Sequence, residues 1–306
     1  MSAPAPSGPT VLCLGEALVD LVGEQPVGSM SEVARFVPHF GGTVANVAVV
    51  AARAGARSAL AGAAGDDRWG RWLLQRLREE RVDDTHFVLT PELQTQLVFV
   101  AVDEDGEAVY ELYGEPAETV VTAGGARIAD AVRGAGALFL SSNTLSGAQE
   151  RALTMRARAL ALELGRPVIF DCGLRLHRWA TRADAAASAN ACVPGALLVR
   201  ANQAEAKLMT GESDPERAAL ALRKAGATMV VISLGAGGAI LRGPLRADVP
   251  AAPVRIVSTV GAGDTLTGML VARLALSGFY PPAVAAGLRD AVAAAAAACE
   301  RWGSVD

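Results

Sequence analysis

Four consecutive residues, Gly261-Ala262-Gly263-Asp264, concentrate the chemistry of this 306-residue chain. They follow a β-branched run from Val254 and precede an apolar stretch with helical spacing that reaches Leu274. A strand, a glycine turn and a helix start are expected there. The first N–H groups of a helix lack intrahelical partners, and the helix dipole favours negative charge at that end. The stretch therefore predicts an anion site with the carboxylate of Asp264 beside it. An Asp that merely caps the helix is the alternative reading of the same four residues.

Other polar residues stand where apolar ones are expected. "GEALVD" ends on Asp20, a carboxylate at a strand end. "GGTVANVA" sets Gly41 and Gly42 before an apolar helix face that carries Asn46. Two glycines allow a ligand close to the backbone. An Asn side chain both donates and accepts, and it is costly on an apolar face without a partner. In "GDDRWG", Asp66 or Asp67 reads as a helix cap.

These residues need elements to position them. "VLCLG" is a continuous apolar run, which suits a strand buried on both faces. A helix from Gly41 to Gly55, then strand, turn at Gly65-Asp66-Asp67 and helix through about Glu80, make a β-α-β-α start. Thr95–Gly114 alternates around Asp105-Gly106, a hairpin signal that interrupts the rhythm and suggests a lid. "EVARFVPHF" supplies another strand of it. Strands are expected again at Gly136–Ser142, Pro167–Gly173 and Ala196–Arg200, and Met229–Leu241 reads as a strand, a glycine turn and another strand. The expected architecture is α/β, with a mainly parallel sheet covered by helices on both faces. Residues 1–10 read as a disordered tail, 11–306 as one domain, and about 18–40 with 93–122 as the lid.

Composition narrows the function. Net charge is −4 and only Lys207 and Lys224 are lysines, so nothing suggests nucleic acid. The four cysteines form no C-x-x-C pair and read as free thiols of a reducing compartment. The N-terminus lacks a signal-peptide pattern, and the apolar run at Ala291–Cys299 is too short to span a membrane. A cytoplasmic location is expected. No G-x-x-x-x-G-K-[ST] or G-x-G-x-x-G opens a helix, which argues against P-loop and dinucleotide-binding enzymes.

In company, these motifs resemble the PfkB/ribokinase family of carbohydrate and nucleoside kinases over about Val11 to Gly303. Besides the three stretches above, "DCGLRLHRW" is similar to the family's D-x-N-x-R…W segment, with Asp171, Arg175 and Trp179 kept. "NQAE" matches N-x-x-E, and "SLGAGG" is similar to T-x-G-x-x-G. The resemblance implies a ribokinase-like three-layer fold with a small β-sheet lid, and an ATP-dependent sugar kinase acting on a primary hydroxyl. Asp264 would be the base, and the N–H groups of Gly261, Ala262 and Gly263 the anion hole. Asp20, Gly41, Gly42, Asn46, Tyr113 and Arg175 would bind the sugar. Asn202, Glu205, Ser233, Gly235, Gly238 and Gly263 would meet the nucleotide, with Glu205 holding Mg²⁺ through water. The helix dipole is expected to keep Asp264 ionised.

Two departures from the family shape the expectation. Many members carry Asp where this chain has Ser258, a residue that helps bind a monovalent cation, so weak or absent K⁺ dependence is expected. "YELYGEPAE" resembles the lid segment of fructokinases and 2-keto-3-deoxygluconate kinases, but Gly114 replaces an arginine suited to a carboxylate. That favours a neutral ketose such as fructose. A 2-keto-3-deoxygluconate kinase, ribokinase or nucleoside kinase is the alternative, as is a non-catalytic sugar-binding relative. Pairing of two copies through the lid edge would give a homodimer.

Overall fold

A computed structural model describes residues 7–113 and 120–305 of the chain. In chain order it builds β1 (Ser7–Leu14), β2 (Leu18–Pro26), β3 (Val37–Gly41), α1 (Thr43–Arg53), β4 (Ala56–Gly65), α2 (Arg68–Glu79) and β5 (Asp83–Thr90). Then come β6 (Leu97–Val102), β7 (Ala108–Tyr113), α3 (Val120–Ala123), α4 (Gly125–Gly134), β8 (Ala137–Ser141), α5 (Ala148–Glu163) and β9 (Val168–Asp171). The remainder is α6 (Arg182–Asn190), β10 (Leu198–Asn202), α7 (Gln203–Thr210), α8 (Pro215–Lys224), β11 (Met229–Ser233), β12 (Ala239–Arg242), β13 (Arg246–Val249), α9 (Ala262–Leu276) and α10 (Pro282–Ala298).

Nine strands form the central sheet, in the order β13-β12-β11-β10-β9-β8-β1-β4-β5. The seven from β11 to β5 run parallel, and β12 and β13 add an antiparallel edge. The apolar run of β1 divides between the two faces. Val11 and Cys13 enter one hydrophobic cluster, with α1, α9 and α10, whereas Leu12 and Leu14 enter the other, with α4 to α8. This is the ribokinase-like α/β architecture, with helices on both faces as a doubly buried parallel sheet requires.

The second sheet has four strands, β3-β2-β6-β7, with β6 and β7 as the hairpin about Asp105-Gly106. Gly106 takes φ +81°, and Asp103 Oδ1 accepts from the N–H groups of Asp105 (3.0 Å) and Glu107 (2.8 Å). Asp67 caps α2 through the N–H groups of Trp69 and Gly70 and also accepts from Thr95 N–H, just before β6. One carboxylate thus ties the small sheet to the large one. Residues 114–118 of the lid-like segment, with Gly114, lie outside the described residues.

Two expectations about elements are corrected. Residues 7–10 are not a tail but part of β1; Ser7 N–H donates to the Gly55 carbonyl at 3.0 Å, and Thr10 accepts from Gly136 N–H at 2.8 Å. The β-branched run before Gly261 is not a strand. Its N–H groups are taken elsewhere: Val257 and Ser258 donate to Cys299 O, at the end of α10, and Thr259 donates to Gly106 O in the hairpin turn. Strand propensity yields to tertiary hydrogen bonding here. No helix among the described residues is long and apolar enough to cross a membrane.

Candidate active site

The polar motifs converge because their strands end at the same edge. Asp171 closes β9, Asn202 closes β10 and Ser233 closes β11, while β1 runs into Gly15 and Glu16. Asn202 and Ser233 are register partners, so the N-x-x-E and S-x-G-x-x-G stretches are neighbours in space. Ligands of open parallel sheets bind outside such carboxyl ends.

α9 enters the same edge. Gly261 is its N-cap at φ +77°, a left-handed conformation that favours glycine, and a Cβ there would lie 2.5 Å from Ser304. α9 crosses α1 closely, because a Cβ on Gly268 would lie 2.5 Å from the Val50 side chain. That approach brings Asn46 of α1 to Asp264 of α9. Asn46 Nδ2 donates to Asp264 Oδ2 at 2.8 Å.

The half-buried Asp264 is held in its acid form more tightly than an ordinary carboxyl. Burial pushes its pKa up to about 6, against the lowering effects of the Asn46 hydrogen bond and of Arg175. Desolvation of the charged form is the largest of these effects. A pKa near the working pH suits a group that takes up a proton during reaction.

Two cavities meet at Asp264. The first lies between the two sheets, with Asp20, Asn46, Gln96 and Asn143 on its walls. The second lies over the strand ends, with Asp171, Arg200, Asn202, Glu205 and Gly263. Thr43, Tyr110, Arg175, Gly261 and Asp264 line both. The Arg175 guanidinium lies over the Tyr110 ring, 5.4 Å from its centre. The hairpin turn closes on the same region, as the Gly106 carbonyl also accepts from Thr259 Oγ1 at 3.1 Å.

Arg200 is a functional candidate that the sequence motifs did not indicate. Its Nη1 donates to Asp171 Oδ1 at 3.2 Å and its Nη2 to Ser233 Oγ at 2.8 Å. Asp171 in turn accepts from Thr267 Oγ1 of α9 at 2.5 Å. Burial alone would lower the pKa of this guanidinium, but Asp171 and Glu205 more than offset that and hold it up. Arg200 lies directly beneath the first turn of α9, for a Cβ on Gly263 would be 3.0 Å from Nη2. Its Nε is buried without a hydrogen-bond partner among the described residues. The one signal in the sequence was a charge inside an apolar strand, "ALLVRAN".

Asn202 and Glu205 form a capping box on α7: Asn202 Oδ1 accepts from Glu205 N–H (2.9 Å) and Glu205 Oε2 from Asn202 N–H (2.8 Å). Glu205 Oε1 accepts from Leu174 N–H at 2.9 Å. With both oxygens so engaged, this carboxylate suits a hydrated Mg²⁺ held through water better than direct ligation. No cluster of three or more His, Cys, Asp or Glu that could hold a metal occurs among the described residues.

Several expected contacts are corrected. Tyr113 reaches neither cavity; it is 56% exposed and packs on Phe99. Side chains alternate along β7, so Tyr110 and Leu112 face the first cavity while Tyr113 faces away. Gly41 lines neither cavity and instead makes room for Asp20, whose Oδ2 would lie 2.3 Å from a Cβ at that position. Ala262 N–H is spent on the Thr259 carbonyl at 3.3 Å, so it is not a free donor of the glycine turn. Ser233, Gly235 and Gly238 are not among the residues that line the second cavity, although Ser233 Oγ accepts from Arg200, which does. The bareness of Gly238 serves packing, since a Cβ would lie 2.0 Å from Val249 O. Asp20, Gly42, Asn46 and Arg175 line the first cavity.

Residues 9–306 match the model of the pfkB family carbohydrate kinases. The chain belongs to that family. This kinase is therefore a phosphotransferase that acts on a sugar hydroxyl. It is 30% identical over 266 residues to "Fructokinase-1" of Oryza sativa subsp. japonica, across 86% of this chain and 82% of that protein. Its structure is similar to the fructokinase of Vibrio cholerae O395 in its fructose-, ADP- and calcium-bound form. There the TM-score is 0.82 and identity 28%, covering 97% of this kinase and 94% of the other. It is also similar to the aminoimidazole riboside kinase of Salmonella enterica complexed with aminoimidazole riboside and an ATP analogue. That match has a TM-score of 0.79 and 26% identity, covering 97% and 95% of the two chains.

Proposed function

We propose that this kinase transfers the γ-phosphoryl group of ATP to a primary hydroxyl of a neutral ketose, with fructose the best fit. One observation carries the reading: Asp264 lies where the two cavities join, hydrogen-bonded to Asn46. A sugar in the first cavity and phosphates in the second would meet at that carboxylate. The fructokinase relatives, including the Vibrio cholerae enzyme solved with fructose and ADP, support the same substrate.

In this reading Asp20 and Asn46 fix the non-reacting hydroxyls, so that the reactive oxygen lies in line with the phosphoryl group. Asp264 accepts the proton of the attacking hydroxyl, a contribution of about 10²–10⁴ in rate. Phosphoryl transfer asks for little else but positioning and charge stabilisation. The first-turn N–H groups of Gly263 and Asp264, with Gly261, face the developing charge. Arg200 and Arg175 add the positive charge that no lysine supplies. Glu205 and Asn202 would hold hydrated Mg²⁺ beside the phosphates, where the ion neutralises charge. The four-stranded sheet, acting as a lid, excludes water from the sugar cavity.

The test is an ADP-release assay with ATP-Mg²⁺ over fructose, tagatose, ribose, 2-keto-3-deoxygluconate and adenosine. The highest kcat/KM is expected for fructose. A clear preference for the sugar acid, for ribose or for adenosine would replace the ketose in this reading.

A further inference from the structure

Ser304 carries a buried hydroxyl for which the described residues supply no partner. The residue is 1% exposed, and its Oγ makes no hydrogen bond among them. Buried polar groups in native proteins are nearly always paired, and a buried unpaired one costs free energy. Ser304 lines the first cavity and not the second. Its hydroxyl therefore belongs to the sugar side of the site, and it lies outside every motif that resembles the family's.

The place of Ser304 is set from three sides. It lies against the N-cap of α9, for a Cβ on Gly261 would be 2.5 Å from Ser304 Cα and 2.8 Å from its Oγ. Just before it, Gly303 takes φ +75° and passes so close to His39 of β3 that a Cβ would lie 2.3 Å from the ring Nδ1. That ring is held in turn, with Nε2 3.0 Å from Glu24 Oε1 of β2. Trp302 packs on a cluster that includes Leu18, Val98 and Val260, and Val305 is buried in the cluster that α9 enters. A hydroxyl on a backbone so anchored costs little further ordering when it takes a ligand. Gly261 lines both cavities, so Ser304 stands where sugar and phosphates would meet.

We propose that Ser304 is a substrate-contacting residue whose Oγ hydrogen-bonds a hydroxyl at the reacting end of the sugar. It holds that end against the Gly261 turn while Asp264 takes the proton. A serine hydroxyl both donates and accepts, as a sugar hydroxyl does, so the two can pair in either sense. The proposal rests on the sugar-kinase reading of the first cavity and gives the segment after α10 a part in aligning the substrate. A misplacement of 1 Å can cost about 10²-fold in rate, so this one bond matters more to turnover than to affinity.

The experiment compares the wild type with Ser304→Ala on fructose and a set of monodeoxyfructoses. Binding is read by calorimetry, turnover by ADP release with ATP-Mg²⁺, and nucleotide affinity with an ATP analogue that cannot transfer its γ-phosphoryl group. Ser304→Ala is expected to weaken fructose binding about 3- to 10-fold, as for the loss of one neutral hydrogen bond. One monodeoxy analogue should bind both proteins equally, because it lacks the hydroxyl that Ser304 holds. Turnover of fructose should fall by about 10-fold or more, and nucleotide affinity should stay unchanged. A merely structural role would weaken all analogues alike and move nucleotide affinity through Gly261. That pattern overturns the proposal, as does a fructose affinity equal in both proteins. Should Ser304→Ala fail to fold, Ser304→Cys, which keeps an atom at the γ position but donates only weakly, carries the same comparison. A wild type that binds these sugars without phosphorylating them contradicts the kinase reading alone, since the binding comparison still decides the role of Ser304. A wild type that binds none of them contradicts both.

Discussion

Asn46 and Asp264 stand 218 positions apart, and their side chains meet at 2.8 Å. Asn46, ahead of Arg175 and Arg200, holds the Asp264 pKa down against burial, which leaves it at about 6. As a base, Asp264 works in its ionised form. kcat/KM is therefore expected to rise with pH through about 6 and to level off above. Asn46→Leu removes the lowering hydrogen bond, so the acid limb should move to higher pH, whatever the variant also loses in sugar binding. A pH–rate profile of both proteins checks this; an unmoved limb would separate Asn46 from the ionisation of Asp264.

The same shift has a consequence for stability. The folded pKa of Asp264 lies above its ordinary value of 3.8, so between about 4 and 6 the native state binds the proton more tightly than the unfolded chain. Stability from this group therefore falls as pH rises through that window. Asp264→Asn should melt at a higher temperature than the wild type at pH 7.5, and the gain should shrink toward pH 4. Thermal melts across this range read the difference. Such an exchange of stability for reactivity is common at active sites.

Arg200 joins β10 to Asp171 and Ser233 and lies under the first turn of α9. Arg200→Met would leave Asp171 without its buried cation, a loss of about 3–5 kcal/mol. Arg200→Lys keeps the charge without the fork and should restore stability in part. Both variants should raise KM for ATP more than KM for the sugar. Denaturant melts with steady-state kinetics would show whether stability and ATP affinity fall together.

Ser258 is fully buried, donates through its N–H to Cys299 O at 3.2 Å and accepts from Val260 N–H through Oγ at 3.2 Å. A neutral hydroxyl engaged in this way offers a cation less than a carboxylate does. Replacing K⁺ with a bulky organic cation at constant ionic strength should leave turnover little changed. A many-fold loss would show that the cation is held by other groups.

The fold was legible where a residue pattern had one physical solution. The apolar run of β1, the helical spacing after Gly42 and the Asp105-Gly106 turn each required the element they form. The Val254–Val260 run did not, because β-branched residues favour an extended backbone without choosing a partner, and Cys299 and Gly106 claimed its N–H groups. Within the site, Asp20, Asn46 and Asp264 could be found from their motifs. Tyr113 was assigned by resemblance, although alternation about β7 puts Tyr110 on the cavity side. Arg200 carries no motif that marks its role, and only packing reveals what surrounds it.

In the proposed reaction Asp264 takes the proton of the attacking sugar hydroxyl. Turnover of fructose with ATP-Mg²⁺ by Asp264→Asn, with fructose binding measured on the same protein, tests it most directly. Turnover is expected to fall by about 10²-fold or more while fructose affinity is largely kept. Turnover equal to that of the wild type would remove Asp264 from the role of base.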